Sequence, residues 1–156
     1  MQIHLVFIGK TAFPDLDSAI NRYLERIRRY VPAEIHIVKP EKIGRNTPEE
    51  AVREREGARV LSLAGKEGFL VLWDQRGKQL DSPELARELE RIQEREASKV
   101  WMIVGGPVGV PQSLVARADL ALSLSRMTFP HDIARLLIVE QLYRAFTILK
   151  GEPYHK

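Results

Sequence analysis

An α/β fold, with a mostly parallel sheet flanked by helices, is what the sequence predicts, on three observations. Five short apolar runs, at residues 3–8, 34–38, 69–73, 99–104 and 120–124, are rich in Val, Ile, Leu and Phe and show little polar alternation. That is the pattern of strands buried on both faces. Stretches with helical spacing separate or follow these runs, and the 156 residues show no repeat, linker or composition shift. One domain over residues 1–156 is therefore expected, long enough to bury its own core.

The elements follow in order. The opening run has neither a basic leader nor a small-residue cleavage site, so it reads as a strand and not a signal peptide. Leu16, Ile20, Tyr23, Leu24 and Ile27 form one helical stripe, which ends near Val31 because Pro32 follows. After the second strand, Thr47-Pro-Glu-Glu50 has the spacing of a capping box with proline at the first helical position. Ser82-Pro83 opens the third helix in the same way, turning Leu85, Leu89 and Ile92 toward the core. The last helix starts near Pro130 and runs to about Leu149. Its apolar residues, from Ile133 through Leu142 and Phe146 to Leu149, lie nearly all round it, which suits a central helix or a subunit interface. The expectation is a homodimer interface.

Composition removes several function classes. With no cysteine, disulfides, thiolate catalysis and Cys-based zinc sites are absent. No apolar run spans a bilayer, since Arg135, Glu140 and Arg144 interrupt the last helix; a cytoplasmic protein is expected. Only Gly9 follows the first strand, which disfavours a dinucleotide-binding Rossmann unit, and P-loop, zinc-hydrolase and serine-hydrolase motifs do not occur. The net charge of +3 permits a nucleic-acid partner without demanding one. His4 and His36 each sit within a strand and read as structural, so no metal is expected.

The informative part is the last third. The fourth strand runs into Gly105-Gly-Pro-Val-Gly109, and glycine brings bare backbone against a ligand because it has no Cβ. Leu124-Ser-Arg-Met-Thr-Phe129 follows the fifth strand at the same sheet end, where open α/β folds bind ligands. Arg22, Arg26 and Arg29, beside Arg28, make a basic stripe on the first helix: a solvated face, or a surface for phosphates. Glu140 and Arg144 have ion-pair spacing. His131 and Arg135 lie next to the second loop, and the chain ends in Tyr154-His155-Lys156.

Taken together, these residues resemble the RlmH-type pseudouridine methyltransferases of the SPOUT superfamily, and the likeness covers nearly the whole chain. It implies a C-terminal deep trefoil knot and S-adenosylmethionine as methyl donor. The cofactor would be embraced by Leu72, Trp73, Gly105, Gly106, Gly109, Leu124, Ser125, Arg126, Met127, Thr128 and Phe129. It also implies N3-methylation of a pseudouridine in 23S (large-subunit) ribosomal RNA, recognised on a preassembled ribosomal surface. The tail would close over the site across a homodimer, with His155 handling the N3 proton, Tyr154 offering a stacking surface and Arg135 stabilising the imide anion. The family commonly has a polar or acidic residue where Val108 stands. A SPOUT enzyme acting on transfer RNA and a non-catalytic RNA-binding dimer are the alternatives.

Overall fold

The computed structural model describes residues 1–64 and 67–156. β1 (Gln2–Ile8), β2 (Ala33–Val38), β3 (Phe69–Gln79), β4 (Lys99–Val104) and β5 (Leu120–Ser123) form one sheet. Its order is β2-β1-β4-β3-β5, and every pairing is parallel. The helices are α1 (Pro14–Ile27), α2 (Glu49–Ala64), α3 (Ser82–Glu94), α4 (Gln112–Arg117) and α5 (His131–Leu149). The strand positions agree with the sequence reading to within a residue or two, apart from β3. The short helix α4, between β4 and β5, was not foreseen.

Side-chain alternation divides β1 between two cores. Ile3, Leu5 and Phe7 join the helical layer of α1, α3 and α5, while Val6 and Ile8 join the layer of α2 and α4. α5 lies between α1 and α3 and buries Ile138, Val139, Leu142, Ala145 and Phe146. Leu142 and Phe146 thus face inward within their own chain. Ile133 and Leu137 stay half-buried outside that core cluster. Among the described residues no helix is long and apolar enough to cross a membrane.

Two helix starts differ from expectation. The Thr47 hydroxyl turns back to accept from Gly44 N at 3.2 Å, so α2 begins at Glu49 with its proposed cap spent on the preceding turn. In α3 the cap is Asp81, one residue before the Ser82 expected. Its carboxylate accepts from Glu84 N at 2.7 Å, and Glu84 accepts from Asp81 N at 2.8 Å. An aspartate oxygen at that position satisfies a free helix-end N–H as well as a serine does.

β3 is longer than the apolar run 69–73 that announced it. Its register against β5 breaks between Trp73 and Lys78, and residues 74–77 loop out over the sheet end before pairing resumes. Gly77 makes this possible: a Cβ there would stand 2.5 Å from the Leu122 backbone, closer than any side chain tolerates. The excursion places Asp74, Gln75 and Arg76 above the carboxyl ends of the central strands.

Candidate active site

A cleft of about 900 Å³ opens over the ends of β3, β4 and β5. Its first wall is the glycine loop. Gly109 N donates to Gly106 O at 3.0 Å, closing a tight turn around Pro107 and Val108, and Gly109 takes φ +79°, a conformation costly to other residues. α2 holds this turn from behind. Gly57 lies so near Pro111 that a Cβ would come to 2.4 Å, and Arg53 donates to Val108 O at 3.3 Å. Glu56 is buried, accepts from Glu41 N at 3.0 Å through Oε2, and keeps Oε1 without a partner close to Gly106.

The second wall is the segment after β5. Ser123 Oγ donates to Ser125 O at 3.0 Å, and Ser125 Oγ accepts from Met127 N at 3.0 Å, so two hydroxyls fold the loop. Gln75 donates to Thr128 Oγ1 at 2.8 Å, joining this wall to the β3 excursion. At the rim, burial would raise the Asp74 carboxyl, but its contacts with the Arg76 side chain and N–H outweigh that and hold it below the usual carboxylate range. The His131 pKa is lowered by burial first and by the Arg135 charge second, more than Asp132 raises it. The ring is therefore neutral near neutral pH.

Of the expected cofactor residues, Trp73, Gly105, Gly106, Gly109, Leu124, Ser125, Met127, Thr128 and Phe129 line this one cleft. Leu72 does not: next to Trp73 on a strand, it points to the opposite face and is buried in the core under α2. Arg126 is also absent from the lining. Sequence reasoning missed the β3 excursion and the Val104, Val110 and Ile138 floor. The Asp74-Gln-Arg-Gly77 turn signal directly after an apolar run could have revealed the former.

The three residues expected to act on substrate lie elsewhere. Arg135 is wholly buried and donates to Ile8 O at 2.7 Å and Thr11 Oγ1 at 3.1 Å; it lies 3.4 Å from Asp132 and its guanidinium sits over the Phe7 ring. It anchors the exit of β1 and does not face the cleft. Tyr154 and His155 follow α5 and fold back along it to Glu140 and Arg144, and neither lines the cleft. The tail is nonetheless held. The Tyr154 hydroxyl donates to Glu140 Oε1 at 3.0 Å, its ring meets Tyr143 edge-on at 4.7 Å, and Arg144 covers it. Glu140 and Arg144 form the expected pair at 3.0 Å. On the adjoining face, Arg26 lies over the Tyr23 and Tyr143 rings.

A glycine-backed cleft at the carboxyl edge of a parallel sheet accords with the comparisons. The family model described as "Predicted SPOUT methyltransferase" matches residues 1–155. The chain belongs to the SPOUT methyltransferase family. It is 57% identical over 157 residues, the whole of both chains, to "Ribosomal RNA large subunit methyltransferase H" of Syntrophobacter fumaroxidans. It is 43% identical to the protein of the same name from Geotalea daltonii, with 99% of each chain covered. Among solved structures, "a probable methylase family protein from Haemophilus influenzae" aligns with TM-score 0.56 at 13% identity, covering 99% of this chain and 70% of the other. At that identity the likeness concerns the SPOUT fold alone.

Proposed function

We propose that this chain methylates N3 of a pseudouridine in 23S ribosomal RNA on the assembled large subunit, with S-adenosylmethionine bound in the cleft. The observation carrying this reading is the glycine-backed cleft, in a chain whose full-length relatives are named ribosomal RNA large subunit methyltransferases. The residues present fit such a ligand. Leu124, Met127 and Phe129 offer apolar surface for a purine, the open side of Gly109 has nothing within 4 Å of a Cβ position, and Trp73 Nε1 is buried without a partner.

When bound, S-adenosylmethionine supplies a methyl group activated by a sulfonium, whose leaving thioether needs no acid. The protein's task is alignment and care of the N3 proton. Holding two reactants in attack geometry is worth about 7–11 kcal/mol in favourable intramolecular cases. N3 lies on the pairing edge, so the base must be unpaired or extruded. Arg135 is not carried forward as the group that meets the imide anion; its place is that of a positioning residue for the loop after β1.

We also propose that residues 1–156 act as one cytoplasmic domain that pairs as a homodimer. The half-buried Ile133 and Leu137 on α5, outside the core cluster, support this, as does the exposed Phe13 at the head of α1. The tail packs back on Glu140 and Arg144 without lining its own cleft, which suits it to completing a partner's. The deep trefoil knot belongs to the same reading: from the outer strand β5 the chain returns past the exits of β3 and β4 to seat α5 against Ile8 and Ala12. The Arg22–Arg29 stripe adjoins the tail through Tyr23, which suits one continuous RNA-facing surface.

Mass-spectrometric mapping of ribosomal RNA from a deletion strain and its parent is expected to show one N3-methylpseudouridine lost from 23S RNA. Loss from transfer RNA instead, or no loss at all, would favour the alternatives. A second expectation concerns the cleft floor. A Cβ at Gly106 meets Ile8 at an ordinary 3.4 Å, so Gly106→Val should fold, while its methyl groups enter the space where backbone meets cofactor. Calorimetry should give about tenfold or weaker S-adenosylmethionine binding, since lost contacts worth 1.4 kcal/mol are a factor of ten. Unchanged affinity would place the cofactor elsewhere.

A further inference from the structure

β1 and β2 pair in parallel, with His4 opposite Glu34 and Val6 opposite His36. Because strand side chains alternate, His4, Glu34 and His36 rise from one face of the sheet. The cluster lies toward the amino ends of β1 and β2, whereas the cleft opens over the carboxyl end of the sheet. His4 is buried and stacks on Trp101, its neighbour on β4, at 4.3 Å. Glu34 and His36 keep 44% and 26% of their side chains exposed, so the group is open to solvent on one side.

The three side chains converge on each other. His4 Nδ1 lies 2.8 Å from Glu34 Oε1 and 3.0 Å from His36 Nε2, which is itself 3.3 Å from the same oxygen. Three mutually close polar atoms cannot all be matched by protons. Each corner presents either an N–H or a lone pair, so one edge of the triangle always joins like with like. A cation at the centre removes the conflict, because it accepts a lone pair from each corner. The dimensions suit one. With bonds of about 2.0–2.1 Å, a tetrahedral zinc centre has ligand–ligand edges of about 3.3–3.4 Å, so the triangle must open by only a few tenths of an ångström. A point about 2 Å from all three atoms stands about 1 Å above their plane, which leaves the fourth position to water on the exposed side.

We propose that His4, Glu34 and His36 form a binding site for a divalent first-row transition ion, Zn²⁺ foremost, that clips β1 to β2. Two imidazoles and one carboxylate are a donor set suited to such ions and not to Mg²⁺ or Ca²⁺, which take oxygen ligands. A site on the far edge from the cleft stabilises the sheet and takes no part in methyl transfer. The proposal stands independently of the function assigned to the cleft.

The test uses the full chain, stripped with a chelator, desalted, and titrated calorimetrically with ZnCl₂. One equivalent per chain is expected, together with a rise in Tm, since an ion that binds only the folded state stabilises it by mass action. Co²⁺ in its place should give the intense visible absorption of a tetrahedral centre. His36→Ala and Glu34→Gln, both at partly exposed positions, should each weaken Zn²⁺ binding at least about tenfold, the lower end of what even an outer-shell partner contributes. Neither should alter S-adenosylmethionine affinity. Absence of heat and of any Tm shift overturns the site, as does unchanged affinity in both folded variants, which would place the ion on other groups such as His131 or His155.

Discussion

Arg135→Met is expected to cost about 3–5 kcal/mol of folding stability, the range for breaking a buried ion pair by removing one partner. Arg135 is fully buried and Asp132 nearly so, at 0% and 4% exposure, so no solvent screening softens the loss. The substitution leaves the Asp132 carboxylate with Ala12 N at 2.9 Å and the neutral His131 ring, and leaves Ile8 O without its guanidinium donor. The methionine stem preserves much of the packing on Phe7, so the deficit is mainly electrostatic. Arg135→Met combined with Asp132→Asn should recover part of the loss by removing the stranded charge. Removing Arg135 also takes away a positive charge that lowers the His131 pKa, so in a folded variant that pKa should rise. Chemical denaturation and an NMR titration of the imidazole measure the two effects. A destabilisation below about 1 kcal/mol would mean that the pair is a replaceable fill of the core.

That arginine also marks where the sequence ceased to be legible. Continuous apolar runs announced all five strands, because a strand buried on both faces has no polar position to blur it. The glycine loop and the 124–129 loop were legible for the same reason in reverse, since each interrupts such a run at the sheet end that binds ligands. Leu72 could have been separated from Trp73 by strand alternation, which sends neighbours to opposite faces. Arg135 could not. A charged residue on a helix reads as exposed, and only the convergence of Ile8, Thr11 and Asp132 from distant parts of the chain makes its burial tolerable. The inward facing of Leu142 and Phe146 was hidden in a similar way. A helix apolar on all sides carries no record of which side meets its own sheet and which meets a partner.

Deleting Tyr154–Lys156 is expected to leave the homodimer and S-adenosylmethionine affinity nearly unchanged, yet to lower methyl transfer about 10²-fold or more, the scale for losing a general base or a positioning contact. The tail is not a frayed end: the Tyr30 hydroxyl donates to Glu152 at 2.6 Å, and Glu152 N donates to Thr147 O at 2.9 Å. None of these contacts touches the cleft of its own chain, so the cofactor site should survive the truncation. Burial, with the Tyr23 and Glu140 contacts, pushes the Tyr154 phenol well above its usual range. Tyr154 therefore stays protonated at working pH and offers a stacking face, not a base. The imidazole of His155 is left as the tail's proton acceptor, so His155→Ala should show part of the rate loss. Mixed dimers give a second readout. One subunit carrying the tail deletion and the other Gly106→Val should retain one working site if the tail acts across the interface, and none if it acts within its own chain, provided that each change alone inactivates the homodimer. A truncated enzyme that methylates at the parental rate would return the proton to solvent or to His131, the neutral ring already lining the cleft.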